Sequence, residues 1–154
     1  MKKSKSMLIV ALSVVVLAMI FASPTISLSQ EHGFSPQGSG NVIILIQSGD
    51  PELIWHGVQY AERAIKNKWM DDVRIIIWGP SQKTICGLPD DHEIIKKFKE
   101  IQAMGGKSSQ IWACKACSDR YGVTDKILKL GFESLHTGIA TSYMIKLGYR
   151  IWNW

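Results

Sequence analysis

Short runs of β-branched and aromatic residues alternate along this chain with stretches of helical period, and that alternation restricts the fold more than any other feature. "NVIILIQ" at residues 41–47 is a continuous apolar run, the pattern of a strand covered on both faces. Helical spacing of Ile54, Val58, Ala61 and Ile65 follows it, with Asp50 placed to cap the helix and Pro51 at its first position. "DVRIIIWG" at 72–79 repeats the strand signal. A loop over 80–89 and a helix over 90–106, with Ile94, Phe98 and Ile101 on one face, come next. "QIWAC" at 110–114 gives a third strand, followed by short helices over 115–121 and 125–130. "FESLHT" at 132–137 reads as a fourth strand, 138–148 as a last helix and "YRIWNW" as a fifth strand. Gly105, Gly131 and Gly148 each fall between a helix and a strand, where a left-handed cap is wanted. Parallel neighbours need crossover helices, so five such units predict a three-layer α/β/α sandwich on a mostly parallel five-stranded sheet.

In an open parallel sheet, ligands bind along the edge formed by the carboxyl ends of the strands. Cys114 ends the third strand and so belongs to that edge, as do Ser48 to Asp50, the 80–89 loop carrying Cys86, and His136. Cys114 also precedes a helix, whose exposed N–H groups and positive dipole end favour a thiolate and lower the thiol pKa. Its alternative fate is that of a small buried hydrophobe. Cys117 lies one helical turn on and is either a partner for Cys114, by relay or disulfide, or a packing residue. His136 could face Cys114 as a proton partner or could simply cap the last helix. His56 and His92 belong to helices, with solvated or packing roles. "SGDP" after the first strand resembles an anion cradle but lacks the glycine spacing of a phosphate loop. Trp152 and Trp154 alternate on the last strand, so one face presents both indoles, which suits a covered surface such as a subunit contact.

A lone CxxC is weak evidence for zinc, because a structural site takes four ligands and no second pair is spaced for it. Cys86 and one histidine could complete such a set only from scattered positions. A thioredoxin-type motif usually follows an early strand of a mixed sheet, whereas this one follows the third strand of an all-parallel array.

The amino terminus belongs to a different category. Lys2, Lys3 and Lys5 precede an uncharged apolar run at 7–22, followed by Pro24 and small polar residues, the layout of a secretory signal. Ser27 and Ser29 place the cut before Gln30, with Ser23 and Thr25 a weaker option. A retained membrane anchor is the competing reading, since a spanning helix needs about 20 apolar residues and this run reaches that only by including Pro24 and several hydroxyls. The expected organisation is a signal peptide or anchor at 1–29, a Gly/Pro/Ser-rich tether at 30–40 containing His32, and one α/β domain at 41–154. The location expected is extracytoplasmic. Of 18 basic residues three lie in the leader, and none of the 13 acidic residues do, leaving fifteen against thirteen. That near balance is no nucleic-acid signature. Three cysteines in an exported chain leave at least one thiol free, modified or paired with another chain.

The segments "VIILIQSGDPE", "IQAMGGKSSQIWACKACSDRYGV" and "LGFESLHTGIATSYMIKLGYRIWNW" together resemble the DsrE/DsrF-like family of sulfur-relay proteins, which includes the TusD-like subunits. The resemblance covers residues 41–154. In that family a strand delivers a cysteine with a glycine eight positions later, as Cys114 and Gly122 stand here, and the cysteine carries a persulfide in active members. The resemblance therefore implies that Cys114 accepts sulfane sulfur and passes it on, with no cofactor or metal. It implies homo- or hetero-oligomers as well, with sulfur-donor and sulfur-acceptor proteins or small thiols as partners, no nucleic acid, and a membrane only if the leader stays attached. It says nothing of Cys86 or Cys117. Two other functions remain open: a thiol–disulfide oxidoreductase or redox sensor using Cys114 and Cys117, and a non-catalytic oligomeric binding module.

Overall fold

The computed structural model describes residues 40–154; the leader and all of the tether before Gly40 lie outside the described residues. The strands are β1 (Asn41–Ile46), β2 (Asp72–Ile77), β3 (Ile111–Cys114), β4 (Glu133–Leu135) and β5 (Arg150–Asn153). The helices are α1 (Pro51–Lys66), α2 (Pro80–Gly87), α3 (Glu93–Ala103), α4 (Lys115–Tyr121), α5 (Thr124–Lys129) and α6 (Thr137–Lys146), with a 3-10 turn at Lys107–Ser109. The sheet runs β4-β3-β2-β1-β5 and every pairing is parallel, so the α/β/α sandwich expected from the alternation is the fold.

Strand order explains how the helices divide between the two faces. From β1 to β4 the chain steps one place at a time in a single direction. Right-handed crossovers put the helices of all three steps on the same face. The return from β4 to β5 spans the whole sheet the other way, and the same rule sends α6 to the opposite face. The first face is therefore thick: Val42, Ile44, Ile46, Val73, Ile75 and Ile77 pack beneath Ile54 and Val58 of α1, Ile94 and Phe98 of α3, and Ile127 of α5. The second is thin, with Ile43, Ile76 and Met144 buried and Leu45, Trp78, Trp112 and Tyr149 partly so. Each fully buried Ile or Val contributes about 1.5–3 kcal/mol, so most of the stabilisation comes from the first face. On the second face Ile139 of α6 is 74% exposed and Tyr143 63%. Among the described residues no helix is long and apolar enough to cross a membrane.

At the amino-terminal end of β2 the thin face carries a polar network. Asp72 accepts from Arg74 Nε at 2.9 Å, from Ser108 Oγ at 2.7 Å and from the Tyr149 hydroxyl. Arg74 donates again to the Lys107 carbonyl at 2.9 Å and lies 5.4 Å from the Trp112 ring centroid. Burial pushes the Asp72 carboxyl up, but the bonds from Tyr149 and Ser108 and the nearby Arg74 charge outweigh it and hold the group below the usual range.

Three expectations change in detail. The segment read as a loop over 80–89 is largely the helix α2: Gly79, at φ +63°, turns the chain sharply and Pro80 starts the helix, a Gly-Pro entry that masks a weak hydrophobic period. The paired indoles of Trp152 and Trp154 stack 5.8 Å apart and lie against this chain's own α1, with Tyr60 4.3 Å from Trp152, so the surface they form is covered only in part and Trp152 stays 46% exposed. Gly57 makes room for them, since a Cβ there would lie 2.9 Å from Trp154 Cγ. "SGDP" is a helix cap, with Asp50 Oδ1 accepting from Glu52 N at 2.8 Å and Ser48 Oγ from Asp50 N at 3.0 Å, so a carboxylate already occupies that helix end. Gly105, Gly131 and Gly148 adopt positive φ as expected.

Candidate functional site

Cys114 is the last residue of β3 and the N-cap of α4, with extended backbone at φ −66° and ψ 111°. Its neighbours follow from the register: Ala113 pairs with Ile77 and Cys114 with Leu135, so the residues just past β2 and β4 flank it. Those residues are Gly79, the N-cap of α2, and His136, the N-cap of α6. Three helices thus begin around one strand end, and their unpaired N–H groups favour negative charge between them. Gly122 closes α4 in the left-handed conformation (φ 66°, ψ 31°), which a residue with a side chain adopts only at a cost, and so lets the chain turn back toward α5.

The first turn of α2 ties the strand ends together. Ser81 Oγ donates to the Ile46 carbonyl at 2.8 Å. Gln82 Nε2 donates to the carbonyls of Ile77 and Cys114, each at 3.1 Å. Both side chains are fully buried. One amide therefore joins the ends of β2 and β3 and ties down the backbone at Cys114. Its own carbonyl oxygen, Gln82 Oε1, is buried without a hydrogen-bond partner.

The two thiols of the motif differ in character. Burial pushes Cys114 up, yet hydrogen bonds from the Cys117 thiol, the Thr137 hydroxyl and the backbone N–H groups of Cys117 and Ala116 outweigh it, so its pKa lies below that of an ordinary thiol. Thr137, the first residue of α6, is fully buried and its hydroxyl has no partner of good geometry; the group its proton can serve is the Cys114 sulfur as that ionises. Cys117 goes the other way. Burial and its hydrogen bond to Cys114 raise it, against smaller opposing effects of the Gly79 N–H and the Arg120 charge. Of the pair, Cys114 is thus the thiol that ionises more readily and Cys117 the one that ionises less readily. Cys114 keeps 7% of its surface open, while Cys117 is half-buried.

His136 flanks Cys114 through the backbone, just past β4. Its side chain is exposed and makes no cap hydrogen bond, and the carboxyl on which its charge acts is that of Asp119. Cys86 lies in the last turn of α2, packed against the large core, and burial raises its thiol. His92 caps α3, its Nδ1 accepting from Ile94 N at 3.2 Å, and His56 is exposed on α1. Among the described residues no three His, Cys, Asp or Glu side chains converge as a metal ion would require. A cleft of about 410 Å³ between Trp55, His56 and His92 and another of about 360 Å³ beside Lys99 and Lys126 are both lined without Cys114. Sequence reading missed Gln82, Thr137 and Gly79. Only Gly79 carried a signal, the Gly-Pro pair that opens α2.

No family model matches the chain. No curated protein matches it. Among solved structures a conserved protein of unknown function from Bacteroides thetaiotaomicron is similar, with 22% sequence identity and a TM-score of 0.65 over 83% of this chain and 99% of that one. At that identity the likeness shows the fold alone.

Proposed function

We propose that this domain is a sulfur carrier of the DsrE/DsrF-like type, in which Cys114 takes sulfane sulfur as a persulfide and hands it to an acceptor thiol. The observation that carries the reading is the placement of Cys114 on a rigid strand end among three helix starts, with buried donors trained on its sulfur. A persulfide forms when a thiolate attacks the outer sulfur of a donor persulfide or polysulfide, so a lowered thiol pKa raises the reactive fraction near neutrality. The 7% opening favours a donor that presents its sulfur end-on, as a linear sulfur chain does. Nothing in this chemistry calls for a metal or an organic cofactor.

Export belongs to the same proposal and rests on the leader layout of residues 1–29. Assembly into homo- or hetero-oligomers is supported by the exposed Ile139 and Tyr143 on the thin face. A second reading, thiol–disulfide exchange between Cys114 and Cys117, is favoured by the hydrogen bond between their thiols. Intact-mass analysis after incubation with polysulfide or thiosulfate separates the two. Gain of one sulfur atom, absent in Cys114→Ser, supports the carrier; loss of two hydrogens without prior sulfur gain supports the oxidoreductase. No change in either protein leaves a binding module.

A further inference from the structure

Cys117 is half-buried at the start of α4, outside the two hydrophobic clusters. The buried residue of α4 is Ser118, and Cys117 belongs to neither hydrophobic cluster, whereas Cys86 packs directly against the larger one. It stands one helical turn after Cys114, the N-cap of α4, and the Cys114 thiol is among the groups that raise its pKa. Both cysteines are free. Residues three apart on a helical turn have Cβ atoms about 5–6 Å apart, and a disulfide needs about 4 Å, a gap that a small adjustment of the first turn closes.

We propose that Cys117 resolves the Cys114 persulfide, attacking the Cys114 sulfur and expelling the carried atom as sulfide, so that the domain reduces its cargo when no acceptor thiol arrives first. The step rests on the carrier reading of Cys114. One S–S bond breaks, between Cys114 Sγ and the carried sulfur; one forms, between Cys114 Sγ and Cys117 Sγ. The zero-valent sulfur gains two electrons and leaves as hydrosulfide, while the two cysteine sulfurs supply those electrons and end as a disulfide. The Cys117 proton goes to solvent. Hydrosulfide is the anion of a stronger acid than a cysteine thiol, which makes it a good leaving group in thiol exchange. An external acceptor attacks the outer sulfur instead, and that transfer involves no net oxidation of the carrier. The fate of the sulfur is then a race between an intramolecular thiol, already in position, and a diffusing one. After resolution the protein needs a dithiol reductant before it can load again.

The test uses the reduced full chain loaded with one equivalent of glutathione persulfide and freed of excess donor, with intact mass and bimane-trapped sulfide followed together. In the unmodified protein the sulfur adduct should give way to the disulfide as about one sulfide per chain appears. Cys117→Ser should keep the adduct at least ~10-fold longer and release no sulfide, and Cys86→Ser should behave as the unmodified protein does. Equal adduct lifetimes in the unmodified protein and Cys117→Ser, or sulfide release that persists in Cys117→Ser, overturns the resolving role while leaving the carrier intact. Absence of any sulfur adduct, in Cys117→Ser as well, overturns the carrier reading and this step with it.

Discussion

The two ends of the sheet use their polar groups differently. At the amino-terminal end, Asp72, Arg74, Ser108 and Tyr149 satisfy one another, and the carboxylate is charged, bonded and largely covered. At the carboxyl end, Cys114 sits among Gln82 and Thr137, each of which holds a buried oxygen with no partner. A buried polar atom left unmatched costs about 1–3 kcal/mol, and Trp112 Nε1, Ser134 Oγ, Thr141 Oγ1 and Trp154 Nε1 are further such atoms among the described residues. The first end behaves as a structural clamp. The second sets one donor, the buried Thr137 hydroxyl, beside the Cys114 sulfur, where it favours the ionised thiol, while the Gln82 oxygen can only accept.

This division can be broken by substitution. Cys114→Ser should abolish sulfur uptake, by ~100-fold or more, with an unfolding midpoint close to the parent's, because the hydroxyl is a poor nucleophile of similar volume; uptake that survives would move the site elsewhere. Asp72→Asn should do the reverse, lowering stability by about 1–3 kcal/mol in urea titrations while leaving the loading rate within ~2-fold. Its pH signature is directional. The carboxyl is depressed in the folded protein, so its contribution is complete above the unfolded carboxylate range and disappears as the pH falls through the lower folded value. The parent should therefore lose stability on acidification more steeply than the variant.

Thr137→Val sharpens the comparison from the other end. It removes a hydroxyl that favours the Cys114 thiolate, so the alkylation-rate profile of Cys114 should move to higher pH and the rate at neutrality should fall about 3–10-fold. Stability should hold or rise slightly, since an unmatched buried hydroxyl is lost. A smaller effect is expected at Ile139, exposed on α6 two residues past Thr137: Ile139→Ser should change stability by no more than about 0.5 kcal/mol, and a shift in elution volume would show that another copy covers it.

Much of the carboxyl end could be read from the sequence, and the reasons are local. The strand end at Cys114 and the helix at Lys115–Tyr121 agree with the structure because an apolar run stops where polar residues begin and Gly122 closes the turn. The Asp50 and Pro51 helix start agrees for the same kind of reason. Gln82 could not be found that way: its bond to the Cys114 carbonyl joins residues 32 apart, and only the sheet order brings them together. The run at 132–137 predicts a strand ending at Thr137, yet that residue begins α6, because β4 on the sheet edge has only three residues. The lopsided division of helices was equally out of reach, since periodicity reports that a helix exists and not in which direction its crossover runs.

The amide of Gln82 has a consequence for how any partner meets this protein. A nucleophile on a free loop would have to be immobilised anew at every encounter, with the loss of motion subtracted from each collision's chance of success. Here two neighbouring strands share one clasp, so the backbone that carries Cys114 is held in place by the fold itself, before any encounter.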